Sequence, residues 1–493
     1  MASPAARAPD GTSPGGDPAA GEVAYGTARG TGLLAAVILG SAVAFLDATV
    51  VNVALPTIGR ELDASFAQLQ WVVTGYTLTL AAFILAGGSL GDRLGRRRVY
   101  VWGIGGFAVT SLLCALAPTA DTLVAARVLQ GVAGALLTPG SLAVIQASFR
   151  PEDRGRAIGT WAGIGAIAPA LGPPLGGWLS EVDWRLVFLI NLPVSAIALL
   201  LTVRFVPESR GAASPGPLDW AGAVLGVVTL GALTVALVGA GGGEGGAVLQ
   251  AVVPVAAVVA VLAGAGFVWW ERRASEPMVP PSLWGSRTFT IANLLTLAVY
   301  AALSGLFFFL ALQLQTSLGY RPLLAGAAAL PSSVLLLLLS SRAGDLATRT
   351  GPRIPLLVGP LVAAAGVLLL AFLSAGDSYL LHVLPGVLLF GAGLALLVAP
   401  LTTTVLAAAP DRLTGTASGV NNAISRAGGL VAVAALPSLV GLGAQEYADP
   451  AALTDGYRAA MLVCTGLLVA GGLSALALPR RYEDCAPRPV TTG

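Results

Sequence analysis

Apolar residues run along this chain in blocks of about 18–25, each closed by a short polar break, and each able as a helix to cross roughly 30 Å of hydrocarbon. The blocks fall at 33–57, 69–88, 99–117, 122–146, 157–179, 185–205, 218–239, 248–270, 290–314, 323–341, 354–375, 379–402, 415–440 and 457–478. The pattern predicts an all-α polytopic membrane protein with fourteen transmembrane helices. Glycine and proline interrupt many of the blocks, which membrane helices tolerate where neighbouring helices satisfy the freed backbone groups. Residues 1–30 are rich in Ala, Pro and Gly, with no apolar stretch of signal-peptide type, and read as a disordered cytoplasmic tail. Residues 480–493 read as a second tail.

A repeat divides the blocks. At a constant offset of 256 residues, Gly88, Leu90, Arg93, Gly95 and Arg97 fall on Gly344, Leu346, Arg349, Gly351 and Arg353. The first block lands on the ninth at the same offset. This organisation predicts a six-helix bundle at 31–209, two linker helices within 210–275, and a second six-helix bundle at 276–479. Two six-helix halves in parallel repeat describe an alternating-access transporter.

Composition fits this picture and removes alternatives. Hydrophobic residues make up 56% of the chain and charged residues 11%, against about 25% charged in soluble domains. A net charge of +2 leaves no polybasic surface for nucleic acid. With a single histidine, His382, and three scattered cysteines, Cys114, Cys464 and Cys485, the chain has no supply for a metal cluster, a disulfide framework or a His-based catalytic site. No metal, cofactor or enzymatic activity is expected. All 27 basic residues are arginines. With the N-terminus inside, the outer segments hold only Arg60, Arg185, Arg321 and Arg458, whereas most of the others lie in inner segments. This asymmetry predicts an N-in/C-in topology. The lysine-free, Ala-, Gly- and Pro-rich composition fits a GC-rich bacterial genome, and hence a bacterial plasma membrane.

Three ionisable residues lie deep within blocks: Asp47, Arg127 and Arg426. Each costs on the order of a few kcal/mol in the bilayer and needs a partner, a cavity or a task. Asp47 lies roughly 21 Å along the first helix, and Arg127 of the fourth helix lies at a similar depth. A carboxylate balanced between desolvation and a nearby cation can take a proton from one side and release it to the other. The plainer alternatives are a structural ion pair for Asp47 and snorkelling to the interface for Arg127. Arg426, with Asn421 and Asn422 one turn before it, either lines a substrate path or holds helices together. Asn52, Tyr76, Tyr300 and Gln313 complete the expected substrate-lining set, as polar or aromatic groups on central helices.

Two glycine-rich segments stand out. Around Asp92, the residues Gly88, Gly91 and Gly95 allow a tight turn and close helix approach, so Asp92 either caps a helix or pairs with an arginine of the neighbouring helix. A conformational latch is the preferred reading, and a positive-inside anchor the plainer one. In the fifth block, Gly172-Pro173-Pro174-Leu175-Gly176-Gly177 predicts a kink and a close contact with another helix.

These segments together resemble the fourteen-spanner drug:proton antiporters of the major facilitator superfamily. Leu46-Asp47-Ala48-Thr49-Val50-Val51-Asn52-Val53-Ala54-Leu55-Pro56 resembles that family's LDxTxVNVALP motif in helix 1. Gly88 to Arg97 resembles the superfamily's loop 2–3 signature, Arg127 to Gly131 its helix 4 motif RxxQG, and Gly172 to Gly177 the GPxxGG antiporter motif of helix 5. Asp219-Trp220-Ala221-Gly222 is similar to the start of helix 7, and Leu314-Gln315, Gly319, Pro322, Gly326 and Pro331 to the helix 9–10 junction. The resemblance implies Asp47 as the protonation site, with Arg127 as its basic companion. It implies Asp92, Arg93 and Arg97 as a latch between the halves, and the helix 5 kink as a mark of export. Thr348 stands where the second-half loop would carry an acid, which appears earlier as Asp345, and no carboxylate lies in the tenth block, where some members carry one for divalent cations. The expected function is proton-gradient-driven export of an amphipathic small molecule by a monomer in the bilayer. A proton symporter importing a metabolite is the alternative, and a non-transporting receptor or anchor a remote one.

Overall fold

The computed structural model describes residues 23–165, 167–210, 219–240, 246–275, 277–410, 413–443 and 449–485. The first six predicted ranges become α1 (Ala28–Glu61), α2 (Phe66–Leu94), α3 (Arg96–Ala115), α4 (Ala120–Ser148), the pair α5 (Pro151–Gly165) and α6 (Ile167–Val182), and the pair α7 (Leu186–Leu189) and α8 (Asn191–Phe205). The linker holds α9 (Trp220–Ala240) and α10 (Gly246–Glu271), followed by the single turn α11 (Pro281–Trp284). The second half holds α12 (Arg287–Leu312), α13 (Pro322–Ala327), α14 (Leu330–Thr350), α15 (Arg353–Leu370), α16 (Leu384–Ala407), α17 (Thr414–Leu439) and α18 (Pro450–Ser474). Local signals set several helix starts. At α2, Ser65 Oγ accepts from the Gln68 amide while Gln68 Oε1 accepts from the Ser65 amide, a capping box that satisfies two otherwise orphaned donors.

Helix occupies every predicted range, and among the described residues twelve segments are long and apolar enough to cross a membrane. Two predicted ranges are not among the twelve: the fifth, where residue 166 lies outside the described residues and α5 and α6 are each shorter than a span, and that of α17, which carries Asn421, Asn422, Ser425 and Arg426. Both hold candidate functional residues. Leu200, Val261 and Leu381 are largely exposed, as expected of helices whose outer face meets lipid rather than water.

The packing repeats between the halves. In the first, α1 packs on α4, α6 and α8, α2 on α4, and α3 on α4 and α8. In the second, α12 packs on α16, α17 and α18, α14 on α16, and α15 on α16 and α18. Each pairing has its counterpart in the order the 256-residue offset requires. The halves meet where α6 packs on α13 and α2 on α17, and the α9–α10 hairpin lies beside the α2–α17 seam.

The tails differ from expectation where they are described. Residues 23–30 are held against the chain between α4 and α5: the Val23 amide donates to the Ser148 carbonyl (2.7 Å), the Tyr25 amide donates to Asp153 Oδ2 (2.8 Å), and Arg156 stacks over the Tyr25 ring. Residues 23–30 are therefore not part of a disordered tail. The second begins later than residue 480, because Tyr482–Cys485 form a further helical turn against α16. Residues 1–22 and 486–493 lie outside the described residues.

Candidate functional site

Asp47 is fully buried in the first half, where α1, α3, α4 and α8 converge. Its Oδ2 accepts from Arg127 Nη1 at 2.5 Å, and its Oδ1 accepts from Gln130 Nε2 and Asn191 Nδ2, each at 3.1 Å. Arg127 and Gln130 are three residues apart on α4 and so share a face. The guanidinium also donates to Gln130 Oε1 (2.6 Å) and to the Val72 carbonyl (3.0 Å), and it lies 4.3 Å over the Tyr76 ring. Ser111 Oγ closes the network, accepting from Gln130 Nε2 (2.9 Å) and Asn191 Nδ2 (3.3 Å). Arg127 is 1% exposed and turned toward Asp47, a placement opposite to that of a snorkelling side chain.

Removing two charges from water costs more than their attraction returns unless further hydrogen bonds hold both ions. Here each Asp47 oxygen has a donor and Arg127 has three acceptors. A proton on Asp47 cancels one charge of the pair and leaves Arg127 a buried cation without its counter-ion. The network thus ties together α1, α2, α3, α4 and α8. The depth argument pairs Asp47 with Arg127, but it does not find Ser111 or Asn191. Uncharged polar residues inside apolar blocks carry no comparable penalty and pass unnoticed. Gln130 is visible only as a letter of a motif.

The glycines of the fifth block secure the helix turn that carries Asp47. A Cβ at Gly172 would overlap Thr49 Oγ1, and one at Gly176 would overlap the Val50 carbonyl. Only hydrogen at these positions lets α6 lie on α1. Gly177 and Pro173 face the other half: a Cβ at Gly177 would meet the Pro322 carbonyl, and one at Gly326 the Pro173 carbonyl. The motif is therefore a two-sided contact, with one face on the Asp47 segment and the other on α13.

The remaining candidates divide. Tyr76 is buried beneath Arg127, and its hydroxyl donates to the Ala44 carbonyl (3.3 Å). Arg426 of α17 is close enough to Tyr76 and Tyr300 for its charge to act on both hydroxyls, and its Nε has no hydrogen-bond partner among the described residues. Asn421 donates to Asn293 Oδ1 (3.0 Å) and Thr296 Oγ1 (2.8 Å) on α12, while Asn422 is exposed and Asn52 half-buried. Gln313 stands apart from this group, buried in the second half and donating to Thr454 Oγ1 (3.2 Å) and the Leu373 carbonyl (3.4 Å).

In the glycine loop, Asp92 pairs with Arg96 of the neighbouring helix at 2.8 Å. Gly95 has φ of 111°, a left-handed backbone suited to glycine. The Arg97 amide donates to Glu208 Oε1 (3.1 Å) and its side chain to the Val203 carbonyl (2.9 Å) at the end of α8. These contacts all lie within the first half, and a Cβ at Gly88 would only touch Pro139. These contacts tie the loop to its own bundle.

The model of the Major Facilitator Superfamily matches residues 37–433. The chain belongs to the major facilitator superfamily. It is 37% identical over 404 residues to the multidrug resistance protein Stp of Mycobacterium tuberculosis, covering 82% of this chain and 74% of that one. It is 37% identical over 438 residues to the puromycin resistance protein pur8 of Streptomyces alboniger, covering 86% of each. It is 35% identical over 413 residues to the multidrug efflux pump LfrA of Mycolicibacterium smegmatis, covering 83% and 81%. Among solved structures, a bacterial homologue of the human lysosomal transporter Spinster matches with a TM-score of 0.65 at 19% identity, over 94% of this chain and 99% of that one. That likeness shows the fold. As a member of this superfamily with resistance and efflux proteins as relatives, the protein is a multi-pass transporter of the bacterial plasma membrane that takes a small-molecule substrate, and it is not an enzyme.

Proposed function

We propose that this transporter is a fourteen-helix, N-in/C-in antiporter that exports an amphipathic drug or antibiotic in exchange for protons, by alternating access and as a monomer without a cofactor. The observation that carries the reading is the carboxylate of Asp47, sealed from solvent and held by Arg127, Gln130 and Asn191. Protonation neutralises Asp47, frees Arg127 and loosens α1 from α4 and α8. Because α6 lies on the same turn of α1 and also on α13, that loosening reaches the contact between the halves. Tyr76, stacked against Arg127, and Arg426 of the other half supply polar groups to substrate. The names of the relatives, which refer to resistance and efflux, support export of drug-like compounds.

The test is expression in an efflux-deficient bacterial host with a panel of amphipathic antibiotics, comparing wild type with Asp47→Asn. Wild type is expected to lower accumulation of at least one compound and to lose that ability when an uncoupler collapses the proton gradient. Asp47→Asn is expected to be inactive at equal membrane abundance. Export by Asp47→Asn at the wild-type rate under an imposed pH gradient overturns the proposal.

A further inference from the structure

Arg426 lies near the middle of the 26-residue helix α17, and the faces of that helix have different neighbours. Val420, Ala423, Ile424 and Ala427 turn to the linker hairpin and line a cavity shared with it. Asn421, Gly428 and Gly429 turn to α12: Asn421 donates to Asn293 and Thr296, and a Cβ at Gly428 or Gly429 would meet Leu297 or Ser304. The stripe left over holds Asn422 and Arg426, one turn apart. It looks toward the first half, since the Arg426 charge reaches the hydroxyl of Tyr76 on α2 as well as that of Tyr300 on α12.

The space beside this stripe is closed on one side. About two turns past Tyr76 and Arg426, Gln70 of α2 donates to the Val433 carbonyl of α17 at 3.0 Å and joins the halves. One turn in the other direction, Asn422 is exposed. Arg426 forms no ion pair among the described residues, and its Nε is buried without a hydrogen-bond partner among them. Asp47, the acid deep in the first block, is not available to it, because both Asp47 oxygens are held by Arg127, Gln130 and Asn191. Tyr300 is half-buried, and its hydroxyl also has no partner among the described residues. A cation at the middle of a membrane helix is costly until it is paired. The group that pairs best with a guanidinium is a planar oxyanion, which accepts two parallel N–H bonds and leaves a lone pair for a neighbouring hydroxyl. A cationic compound would meet like charge here.

We propose that the transported compound is an amphipathic organic acid, a carboxylate or comparable oxyanion on an apolar body, whose charge is bound by Arg426 with Tyr300 as a second donor. This rests on the reading of the space between the halves as the transport path, and narrows its cargo from amphipathic compounds in general to anions. Arg426 then sets selectivity by charge, while proton coupling belongs to Asp47.

The experiment is equilibrium binding to the purified full-length protein in lipid-free detergent, read by probe fluorescence. Anthracene-9-carboxylate, anthracene-9-methanol and protonated anthracene-9-methylamine present one apolar body with a negative, a neutral and a positive group. The acid is expected to bind about 10-fold more tightly than the alcohol, the scale of hydrogen bonds to a charged group, and the amine to bind weakest. Arg426→Gln is expected to bind acid and alcohol alike, and Arg426→Lys to keep a preference for the acid. Wild-type protein that binds the acid no more tightly than the alcohol overturns the proposal, whatever the variants do, and so does an undiminished acid preference in Arg426→Gln. Added phosphatidylglycerol is expected to leave the acid affinity unchanged; competition would assign Arg426 to a lipid headgroup and overturn its assignment to cargo. The two readings fail separately. Export that ignores an uncoupler, with the acid preference intact, contradicts proton coupling alone, whereas uncoupler-sensitive export by a protein without acid preference contradicts the anion site alone.

Discussion

The two halves share their scaffold but not their chemistry. Gly95 and Gly351, related by the 256-residue offset, both have positive φ (111° and 75°). Each packs against the chain that follows the last helix of its bundle, at Glu208 and Arg480 respectively. Arg97 and Arg353 both donate to a carbonyl near the end of that helix, those of Val203 and Leu476. The helix pairings repeat in the same way. The polar centres do not. At the same offset Asp47 falls on Leu303 and Ser111 on Val367, both packed in the apolar core. The second half has the neutral amide cluster of Asn293, Thr296 and Asn421 between α12 and α17. Duplicated backbone geometry thus carries a buried ion pair, Asp47–Arg127, in the first bundle and a neutral hydrogen-bond cluster at the second.

This contrast can be broken at several points. The largest effect is expected for Arg127→Ala, which leaves Asp47 buried without its cation. Loss of one partner of a buried pair costs about 3–5 kcal/mol, so a marked fall in Tm and in folded yield in detergent is expected, with transport abolished. A stable Arg127→Ala protein would mean that the pair does not organise the first half. Next come the two loop glycines. Alanine at either strains a left-handed backbone by about 1–3 kcal/mol. Gly351→Ala should be the worse, because its Cβ meets the backbone carbonyl of Arg480, whereas at Gly95 it meets the movable Glu208 side chain. The reverse order in Tm would separate the two loops. Asn421→Ala should cost about 1–2 kcal/mol, since it removes two hydrogen bonds and strands Asn293 Oδ1, and its proton coupling should be intact. Smallest is Asp92→Asn. The Asp92–Arg96 pair is partly exposed and contributes within about 1 kcal/mol, and Thr348 at the matching position of the second half already lacks it. A large drop in Tm would show a role for Asp92 beyond this pair.

Much of the fold was legible because lipid imposes a simple rule: a helix must be apolar over its whole length to cross. Every apolar block holds helix among the described residues, whereas the short turn α11 lies in none. The Asp47–Arg127 contact was legible because only charges are expensive enough in a membrane to demand partners. Ser111 and Asn191 were not, since a hydroxyl or an amide inside an apolar block is cheap and common. The kink at Gly172–Gly177 could be read from Gly and Pro. That these glycines rest on Thr49 and Val50 of the Asp47 turn could not, because small residues reveal close approach without naming the neighbour. The polar face of α17 weakens the apolar signal where that helix carries Asn421, Asn422 and Arg426.

The central claim, that Asp47 exchanges its proton for substrate, is tested most directly by following proton release. Purified wild-type protein in weakly buffered detergent with a pH indicator should release protons when a transported compound is added. Asp47→Asn should release none, and Asp345→Asn, in the second-half loop, should release as wild type does. Wild-type proton release from Asp47→Asn would contradict the account.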